Sequence, residues 1–163
     1  MTYICCVDDY ASLSFNKRRN SSDRFVIEDI INTVGEAPLR VDTYTAKLFR
    51  DKQVPLLIVD DDCLENAKDG EFVFVERQNP SAYLKAGDQL ILYHWNRYYP
   101  SDNRLNLTGW NVLEVTTEEF AGYSHEKIAR QSGIKSFRII PKTYKKARVI
   151  LWLFSLLSST MIF

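Results

Sequence analysis

Residues 2–9 read TYICCVDD, and this stretch decides the fold. A run of β-branched, aromatic and cysteine side chains is typical of a buried β-strand, and two aspartates end the run. The polar residues 10–21 follow and predict a loop. Ser22 predicts the N-cap of a helix over residues 22–34, because apolar residues then recur at helical spacing and Gly35 follows the last turn. The sequence therefore begins with a strand, a loop and a helix.

Further strands alternate with short helical segments along the rest of the chain. Residues 54–59 (VPLLIV) form a continuous apolar run, the pattern of a parallel strand covered on both faces. Residues 111–116 and 123–130 alternate in polarity and predict a closing antiparallel hairpin. The whole pattern predicts an α/β fold with three layers: a mixed, mostly parallel sheet with helices on both faces and a C-terminal antiparallel hairpin. The other predicted strands are residues 39–41, 71–75 and 88–93, with helical turns at 44–49 and 79–85.

Composition supports one folded domain followed by a different tail. The chain has 163 residues, of which 45% are apolar and 26% charged, enough to build a core. Residues 1–131 hold all 21 acidic residues and 15 basic ones, a net charge of −6, whereas residues 132–163 hold six basic residues and no acidic one. We therefore predict an α/β domain over 1–131 and a basic, then hydrophobic tail over 132–163. The acidic surplus argues against a general nucleic-acid binder.

The tail leaves its role open. Residues 149–163 carry no charge and follow a basic stretch, as a cytoplasm-facing anchor would, but they are fewer than the roughly 17 to 20 apolar residues that a spanning helix needs. Two interpretations of this tail have equal weight. It is either a membrane-surface or tail-anchored segment, or a segment with no evolved role. Three cysteines, Cys5, Cys6 and Cys63, and no charged leader before an apolar run predict a reducing cytoplasmic location. Cys5 and Cys6 lie in the first predicted strand, which favours small core residues.

The order of these pieces resembles the dihydrofolate reductase-like domains. A strand ending in Val7-Asp8-Asp9, a polar loop holding Asn16, and a helix opening with Asp23 and Phe25 are similar to the start of that family. The stretch DQLILYH at 88–94, followed by Tyr99-Pro100, Gly109-Trp110 and the final hairpin, resembles its late strand, turn and closing strands. The resemblance covers residues 1–131.

The resemblance implies a cleft that binds a nucleotide-like or heterocyclic small molecule, in a protein that is either a reductase or a binder. It makes Asp23 the catalytic residue, an acid that meets the heterocycle, with residues 10–20 as a lid. A proton-donating role needs a raised pKa at Asp23, and the alternative is a first-turn acid that complements the helix dipole. The expected cofactor-binding residues are Asp8, Asn16, Lys17, Arg18 and Arg19, and the expected substrate-binding residues are Asp9, Phe25, Asn96 and Arg97.

The cofactor stays open because the family's binding signatures are replaced. The reductases have a Gly-Gly pair after the strand assigned to 71–75, where this chain has Glu76-Arg77. Bulky side chains there would fill the space for a pyrophosphate, and Glu76 would repel it. Tyr93 stands at the family's threonine, and VDTYT at 41–45 replaces a Gly-Arg-x-Thr motif. NADPH is one candidate, and these replacements argue against it.

Other function classes use other residues. Asp8, Asp9 and the aspartates at 60–62 follow predicted strands and offer oxygen ligands for Mg²⁺, although caps and turns explain each of them separately. His94 and His125 with Lys127 suggest metal-free acid/base cleavage of RNA, and the basic triplet at 17–19 and the aromatic residues of 93–99 suggest RNA binding. We expect Tyr93 and Trp95 to pack in the core. A non-enzymatic interaction module on the same scaffold is the third class. The sequence has no zinc-binding motif.

Overall fold

A computed structural model describes residues 1–107 and 111–136. Its helices are α1 (Arg24–Val34) and α2 (Thr43–Ala46), with 3-10 turns at Lys47–Phe49 and Pro80–Ala82. Its strands are β1 (Thr2–Val7), β2 (Ser12–Phe15), β3 (Arg18–Arg19), β4 (Leu39–Val41), β5 (Leu57–Val59), β6 (Phe72–Phe74), β7 (Gln89–His94), β8 (Asn103–Arg104), β9 (Asn111–Phe120) and β10 (Ile128–Ser136).

The first predicted strand is the centre of a seven-stranded mixed sheet. The strand order is β5-β4-β6-β1-β7-β10-β9, and β1 pairs in parallel with β6 and β7. β10 is antiparallel to both β7 and β9 and lies between them. β2, β3 and β8 form a separate three-stranded antiparallel sheet. The predicted α/β class, the mixed sheet and the closing antiparallel hairpin are confirmed.

Alternation along the central strands divides the core between two faces of the sheet. One face carries Ile4, Ile91 and Tyr93, and α1 packs on it through its buried residues Val26, Ile27, Ile30 and Val34. The other face carries Tyr3, Cys5 and Val7, and it is covered by leucines of short strands and turns, namely Leu13, Leu64, Leu84 and Leu105. The prediction that Tyr93 and Trp95 are packing residues is confirmed, because both are buried. Burial of the Cys5 thiol raises its pKa to about 12.

A buried ion-pair network ties three segments at one side of the sheet. The Arg40 guanidinium on β4 donates Nε to Glu71 Oε2 at 2.8 Å and Nη2 to Glu71 Oε1 at 3.0 Å. Its Nη1 donates to Asp60 Oδ2 at 2.9 Å, at the end of β5. The side chains of Arg40 and Glu71 are both buried, and the two-pronged contact fixes their geometry.

The prediction of a loop over residues 10–21 is wrong. β2 and β3 lie there and pair with each other through a tight turn at Asn16-Lys17, whose φ angles of 48° and 59° are left-handed. β2 also pairs with β8, from a distant part of the sequence. The local pattern missed β2 and β3 because they are only four and two residues long and because β2 pairs with a strand far along the chain.

Two other boundaries differ from the predictions. The N-cap of α1 is Asp23 and not Ser22, since the Asp23 side chain accepts from the Phe25 backbone N–H. The apolar run at 54–59 forms only the three-residue strand β5, at an edge of the sheet, where Val59 is 52% exposed. Leu57 and Ile58 are half-buried and Val59 is exposed, so this run is not covered on both faces as predicted.

The closing hairpin extends past the predicted end of the domain. β10 continues to Ser136, five residues beyond Gln131. Gly109-Trp110 and the predicted hydrophobic segment 149–163 lie outside the described residues. Within the two described ranges, no helix has the length and apolar character needed to cross a membrane.

Candidate functional site

Asp23 is a buried carboxylate that joins the start of α1 to the loop between β9 and β10. Oδ1 accepts from the backbone N–H groups of Phe25 at 2.9 Å and Tyr123 at 3.0 Å. Oδ2 accepts from the Ser124 N–H at 2.9 Å, the Ser124 hydroxyl at 3.1 Å and His125 Nδ1 at 3.0 Å. Both carboxylate oxygens are therefore occupied by donors of the protein itself.

These hydrogen bonds decide the charge state of Asp23. Burial alone would raise its pKa, but the N–H groups of Tyr123 and Ser124 and the His125 ring hold the pKa well below its usual range. A general acid needs the opposite shift. The raised pKa that a proton-donating role requires is therefore not found at Asp23, because the loop donors stabilise the ionised form.

Gly122 lets the loop approach Asp23 closely. A Cβ at this position would lie 2.6 Å from Asp23 Oδ2 and 2.8 Å from the carbonyl oxygen of His125. Both distances are shorter than side chains tolerate, so the turn requires glycine for space. The Gly122 N–H donates to the same His125 carbonyl at 2.9 Å and closes the turn that presents the His125 ring to Asp23.

Asp8 organises the chain at the end of β1. Its Oδ1 accepts from the N–H groups of Tyr10 and Ser12, both at 2.9 Å, and its Oδ2 accepts from the Tyr99 N–H at 2.9 Å. Burial would raise the pKa of Asp8, but the backbone donors Tyr99, Ser12 and Tyr10 lower it. Asp8 thus joins the segment after β1 to the segment after β7, and its oxygens face the protein.

A cleft of about 580 Å³ lies between the β2–β3 hairpin and the segment that follows β7. Tyr99 lines the cleft and its N–H is bound by Asp8, which follows β1, so the cleft lies near the carboxyl ends of β1 and β7, the edge where ligands bind in open α/β sheets. Apolar walls and exposed polar groups face the same space. The residues lining it are Phe15, Asn16, Arg18, Arg19, Asn20, Tyr99 and Pro100. Of the expected cofactor-binding residues, it brings together Asn16, Arg18 and Arg19.

Arg19 is already paired within the protein. Its Nε and Nη2 donate to the two carboxylate oxygens of Glu76, both at 2.8 Å, in a fork that leaves little capacity for a phosphate. The hydroxyl of Thr45 donates to Glu76 Oε2 at 3.1 Å. Arg18 also lines the cleft and is exposed, so it is the arginine of the basic triplet that can meet a ligand there.

Tyr44 fills the space beside this ion pair. The guanidinium carbons of Arg19 and Arg77 lie 4.3 Å and 4.2 Å from the centre of its ring, as cation–π contacts. Arg77 also donates to Asp42 Oδ2 at 3.1 Å. The chain's own side chains occupy the place that the resemblance gives to a dinucleotide pyrophosphate. The residues at the end of β6 therefore do not fit NADPH in the family's manner.

The remaining expected site residues lie apart from the cleft lining. Asp9 and Arg97 are exposed and joined through the backbone, since the Asp9 N–H donates to the Arg97 carbonyl at 3.0 Å. The Asn96 side chain donates to the Lys127 carbonyl at 2.9 Å. Phe25 is 40% exposed and packs edge-on against Tyr123. Lys17 is an exposed turn residue.

The aspartates considered for Mg²⁺ are not brought together. β4 and β6 separate β1 from β5, which puts their strand ends about 14 Å apart at normal strand spacing. Asp60 is bound by Arg40 and Asn66, and Asp61 accepts from the Thr43 N–H at 2.9 Å. Over the described ranges, no three or more His, Cys, Asp and Glu side chains are grouped to hold a metal ion.

The two histidines proposed for RNA cleavage face different ways. His94 shares the face of Leu90 and Leu92, and its Nε2 lies 2.8 Å from Gln131 Oε1. His125 stacks on Trp95, whose side chain belongs to the α1 face of the sheet. Lys127 forms an exposed ion pair with Glu119. The structure therefore does not bring these three side chains into one acid/base site.

Sequence reasoning missed the most connected part of this region. Ser21 Oγ lies 3.0 Å from His125 Nε2, and the Tyr99 hydroxyl lies 3.5 Å from the same nitrogen. Ser21 and His125 are 104 positions apart, so no local spacing relates them. Tyr44 was missed for a similar reason, because its role depends on two arginines from other elements.

Comparison with known proteins finds no family model and no curated protein that matches this chain. Fold and site together define an α/β protein with a mixed seven-stranded sheet and a cleft beside the carboxyl ends of its central strands.

Proposed function

We propose that this chain is a divergent dihydrofolate reductase-like domain whose cleft binds a nucleotide-like or heterocyclic small molecule. The observation that carries the proposal is the cleft of about 580 Å³ at the carboxyl edge of the sheet, with Phe15 and Tyr99 as aromatic walls and Arg18 as an exposed cation. Aromatic walls suit a flat ring, and a guanidinium suits a phosphate or carboxylate.

Support for the family's three-layer architecture comes from the placement of the short elements. α1 covers one face of the sheet, and the turns that carry Leu64 and Leu84 pack on the other. The polar segment after β1, expected to be a lid, carries the β2–β3 hairpin that borders the cleft.

The proposal favours a ligand with one anionic group over a dinucleotide. Glu76 is buried and paired with Arg19, so a pyrophosphate there would have to separate a buried fork. We therefore propose a binding function, with reductase activity as the further hypothesis that NADPH titration tests.

The test is a calorimetric titration of the full chain with FMN, folate, NADPH and NADH. We expect saturable binding of FMN or folate, weakened about ten-fold in Arg18→Ala, which corresponds to about 1.4 kcal/mol. The matched control is Arg50→Ala, which removes an exposed arginine after the 3-10 turn at Lys47–Phe49 and should leave the affinity within about two-fold. Failure of all four ligands to bind at millimolar concentration would refute the proposal.

A second candidate function, RNA binding, is favoured by one observation. Tyr10 and Tyr98 are 62% and 64% exposed, their ring centres are 4.7 Å apart, and the Arg104 guanidinium lies 5.7 Å from the Tyr10 ring. Exposed aromatic rings beside arginine can stack on unpaired bases. The test is binding of a labelled single-stranded RNA. Weaker binding by Tyr98→Ala, together with unchanged binding by Tyr83→Ala, would favour this candidate. Equal binding by both variants would count against it.

A further inference from the structure

Three side chains, Ser21 and Asp23 before α1 and His125 about 100 positions later, form a continuous hydrogen-bonded line beside the cleft. Ser21 Oγ is 3.0 Å from His125 Nε2, and His125 Nδ1 is 3.0 Å from Asp23 Oδ2. A hydroxyl, an imidazole and a carboxylate in this order, each within hydrogen-bond distance of the next, have the arrangement of an activated nucleophile, its base and the group that orients the base.

The surroundings hold the imidazole in the required form. In a neutral imidazole, the acceptor Asp23 places the ring hydrogen on Nδ1 and leaves Nε2 to accept from the Ser21 hydroxyl. The ring is buried and stacks on Trp95, with centres 4.6 Å apart and planes at 26°. These contacts fix the orientation of the ring, and the neutral form with the hydrogen on Nδ1 is the one that matches them.

Ser21 lies next to the lining of the cleft. It is partly exposed and follows Asn20, which lines the cleft. Tyr99 also lines the cleft, and its hydroxyl lies 3.5 Å from His125 Nε2. A molecule held against Tyr99 is thus adjacent to the nitrogen that would receive a proton.

A second serine in the loop does not occupy the nucleophile's position. The Ser124 hydroxyl lies 3.1 Å from His125 Nδ1 and donates to Asp23 Oδ2 at 3.1 Å. It contacts the nitrogen that faces Asp23, not the nitrogen that is free to accept a proton. Ser21 is therefore the hydroxyl with the geometry for deprotonation.

We propose that Ser21 is a nucleophile and His125 its general base, with Asp23 as a positioning residue, in the hydrolysis of small aryl esters. The aryl group suits the rings of Phe15 and Tyr99 that face the cleft. This activity goes beyond the proposed binding function and stands without it, since it rests on the contacts of His125.

The proposed reaction has two steps and needs only water as co-reactant. Ser21 Oγ bonds to the carbonyl carbon while its proton passes to His125 Nε2. The carbon–oxygen bond to the aryl group then breaks, and the phenol leaves with that proton. A water molecule, deprotonated by His125, attacks the acyl group on Ser21, releases the carboxylic acid and restores the serine hydroxyl.

The experiment treats the full chain with phenylmethylsulfonyl fluoride and locates the adduct by peptide mass spectrometry. We expect the adduct on Ser21 and a burst of about one equivalent of p-nitrophenol from p-nitrophenyl acetate, both absent in Ser21→Ala. The matched control is Ser22→Ala, which removes the adjacent exposed hydroxyl and should retain both signals. An unlabelled Ser21 in the unmodified sequence would overturn the proposal, and that result requires no variant to fold.

Two further variants separate catalysis from structure. His125→Gln should lower the maximal labelling rate of Ser21 by at least about 100-fold. Asp23→Asn should also lower the maximal labelling rate. The reagent concentration that gives half of the maximal rate should stay within about two-fold, because the cleft is retained and only the base is misoriented. Undiminished labelling of Ser21 in His125→Gln would contradict the role of the base. Equal changes in both quantities for Asp23→Asn would contradict its positioning role.

Discussion

At the scale of single residues, Asp23 combines a local and a long-range function. It caps α1 through the Phe25 N–H, and it fixes the 122–125 loop through donors from about 100 positions later. Capping alone is worth about 1 kcal/mol, and hydrogen bonds to a charged group contribute more than neutral ones. One buried carboxylate therefore stabilises both the start of the helix and the loop that carries His125.

This role predicts that Asp23→Asn loses stability to an extent that depends on pH. Because the pKa of Asp23 is lower in the folded than in the unfolded chain, its contribution is complete above the unfolded value and is lost as pH falls through the folded value. We expect the variant to lose about 2 kcal/mol of unfolding free energy at pH 7 and to show a shallower decline below about pH 4 than the original sequence. Urea unfolding across that range measures both effects.

The control for this prediction is Asp51→Asn, at an exposed position in the turn after Phe49. It should change the unfolding free energy at pH 7 by less than about 0.5 kcal/mol. Parallel pH profiles for Asp23→Asn and the original sequence would show that Asp23 is not the group responsible.

Gly122→Ala tests the space requirement beside Asp23. A methyl group there meets Asp23 Oδ2 and the His125 carbonyl at less than 3.0 Å, so the loop must shift. We expect a loss of about 1–3 kcal/mol in unfolding free energy. Gly70→Ala is a useful comparison, since its Cβ would meet no atom within 4 Å and only its φ of 84° is strained. If Gly122→Ala cost no more than Gly70→Ala, crowding at Asp23 would not be the reason for the glycine.

At the scale of elements, the β2–β3 hairpin carries the cleft-facing residues Phe15, Arg18 and Arg19 on either side of a strained turn. Asn16 and Lys17 both have left-handed φ angles, and the two-residue turn with this geometry favours Asn followed by Gly. Asn16 suits its position, whereas Lys17 has a side chain that disfavours the conformation.

Lys17→Gly should therefore stabilise the hairpin. We expect the unfolding free energy to rise by about 0.5–1 kcal/mol, as relief of strain exceeds the added freedom of glycine in the unfolded chain. Hydrogen exchange of the hairpin amides, together with urea unfolding, measures the change. Arg18→Gly, at a strand position beside the turn, should instead lower stability. A lower stability in Lys17→Gly would contradict the strain argument.

An element could be predicted from the sequence when the residues that determine it are close together in the chain. Alternating or apolar runs located β1, β4, β6 and β7, because those side chains face a core on at least one side. β2 and β3 escaped because their pairing depends on a turn conformation and on the distant β8. The candidate site was predictable only in part, for the same reason. Arg18 was identified from its charge, but the pairing of Arg19 with Glu76 and of Ser21 with His125 depends on tertiary contacts.

At the scale of the whole molecule, the Arg40 network holds the outer strands to the centre. Arg40 and Glu71 are both buried, and removing Glu71 leaves the buried Arg40 charge with only the partly exposed Asp60 as a carboxylate partner. Burial would raise the pKa of Glu71, but its hydrogen bond with Arg40, the larger influence, lowers it. This network connects β4, the end of β5 and the residue before β6.

Glu71→Gln should cost about 3 kcal/mol of unfolding free energy, and the double variant Arg40→Leu with Glu71→Leu should recover much of it, since no buried charge remains. Chemical denaturation measures both. The exposed pair Arg24–Glu28 is the matched control, and Glu28→Gln should change stability by less than about 0.5 kcal/mol. A double variant less stable than Glu71→Gln would mean that the ion pair itself is net stabilising.

The insertion of β10 between β7 and β9 has a consequence for the order in which the chain acquires its structure on the ribosome. Until residues 128–136 emerge, one whole side of β7 has no neighbour, even though β1, α1 and most of the core are already available. An unpaired central strand edge is a template for association with other chains. Nascent chains of this protein should therefore be most prone to aggregate, and most dependent on chaperones, just before β10 emerges from the ribosome.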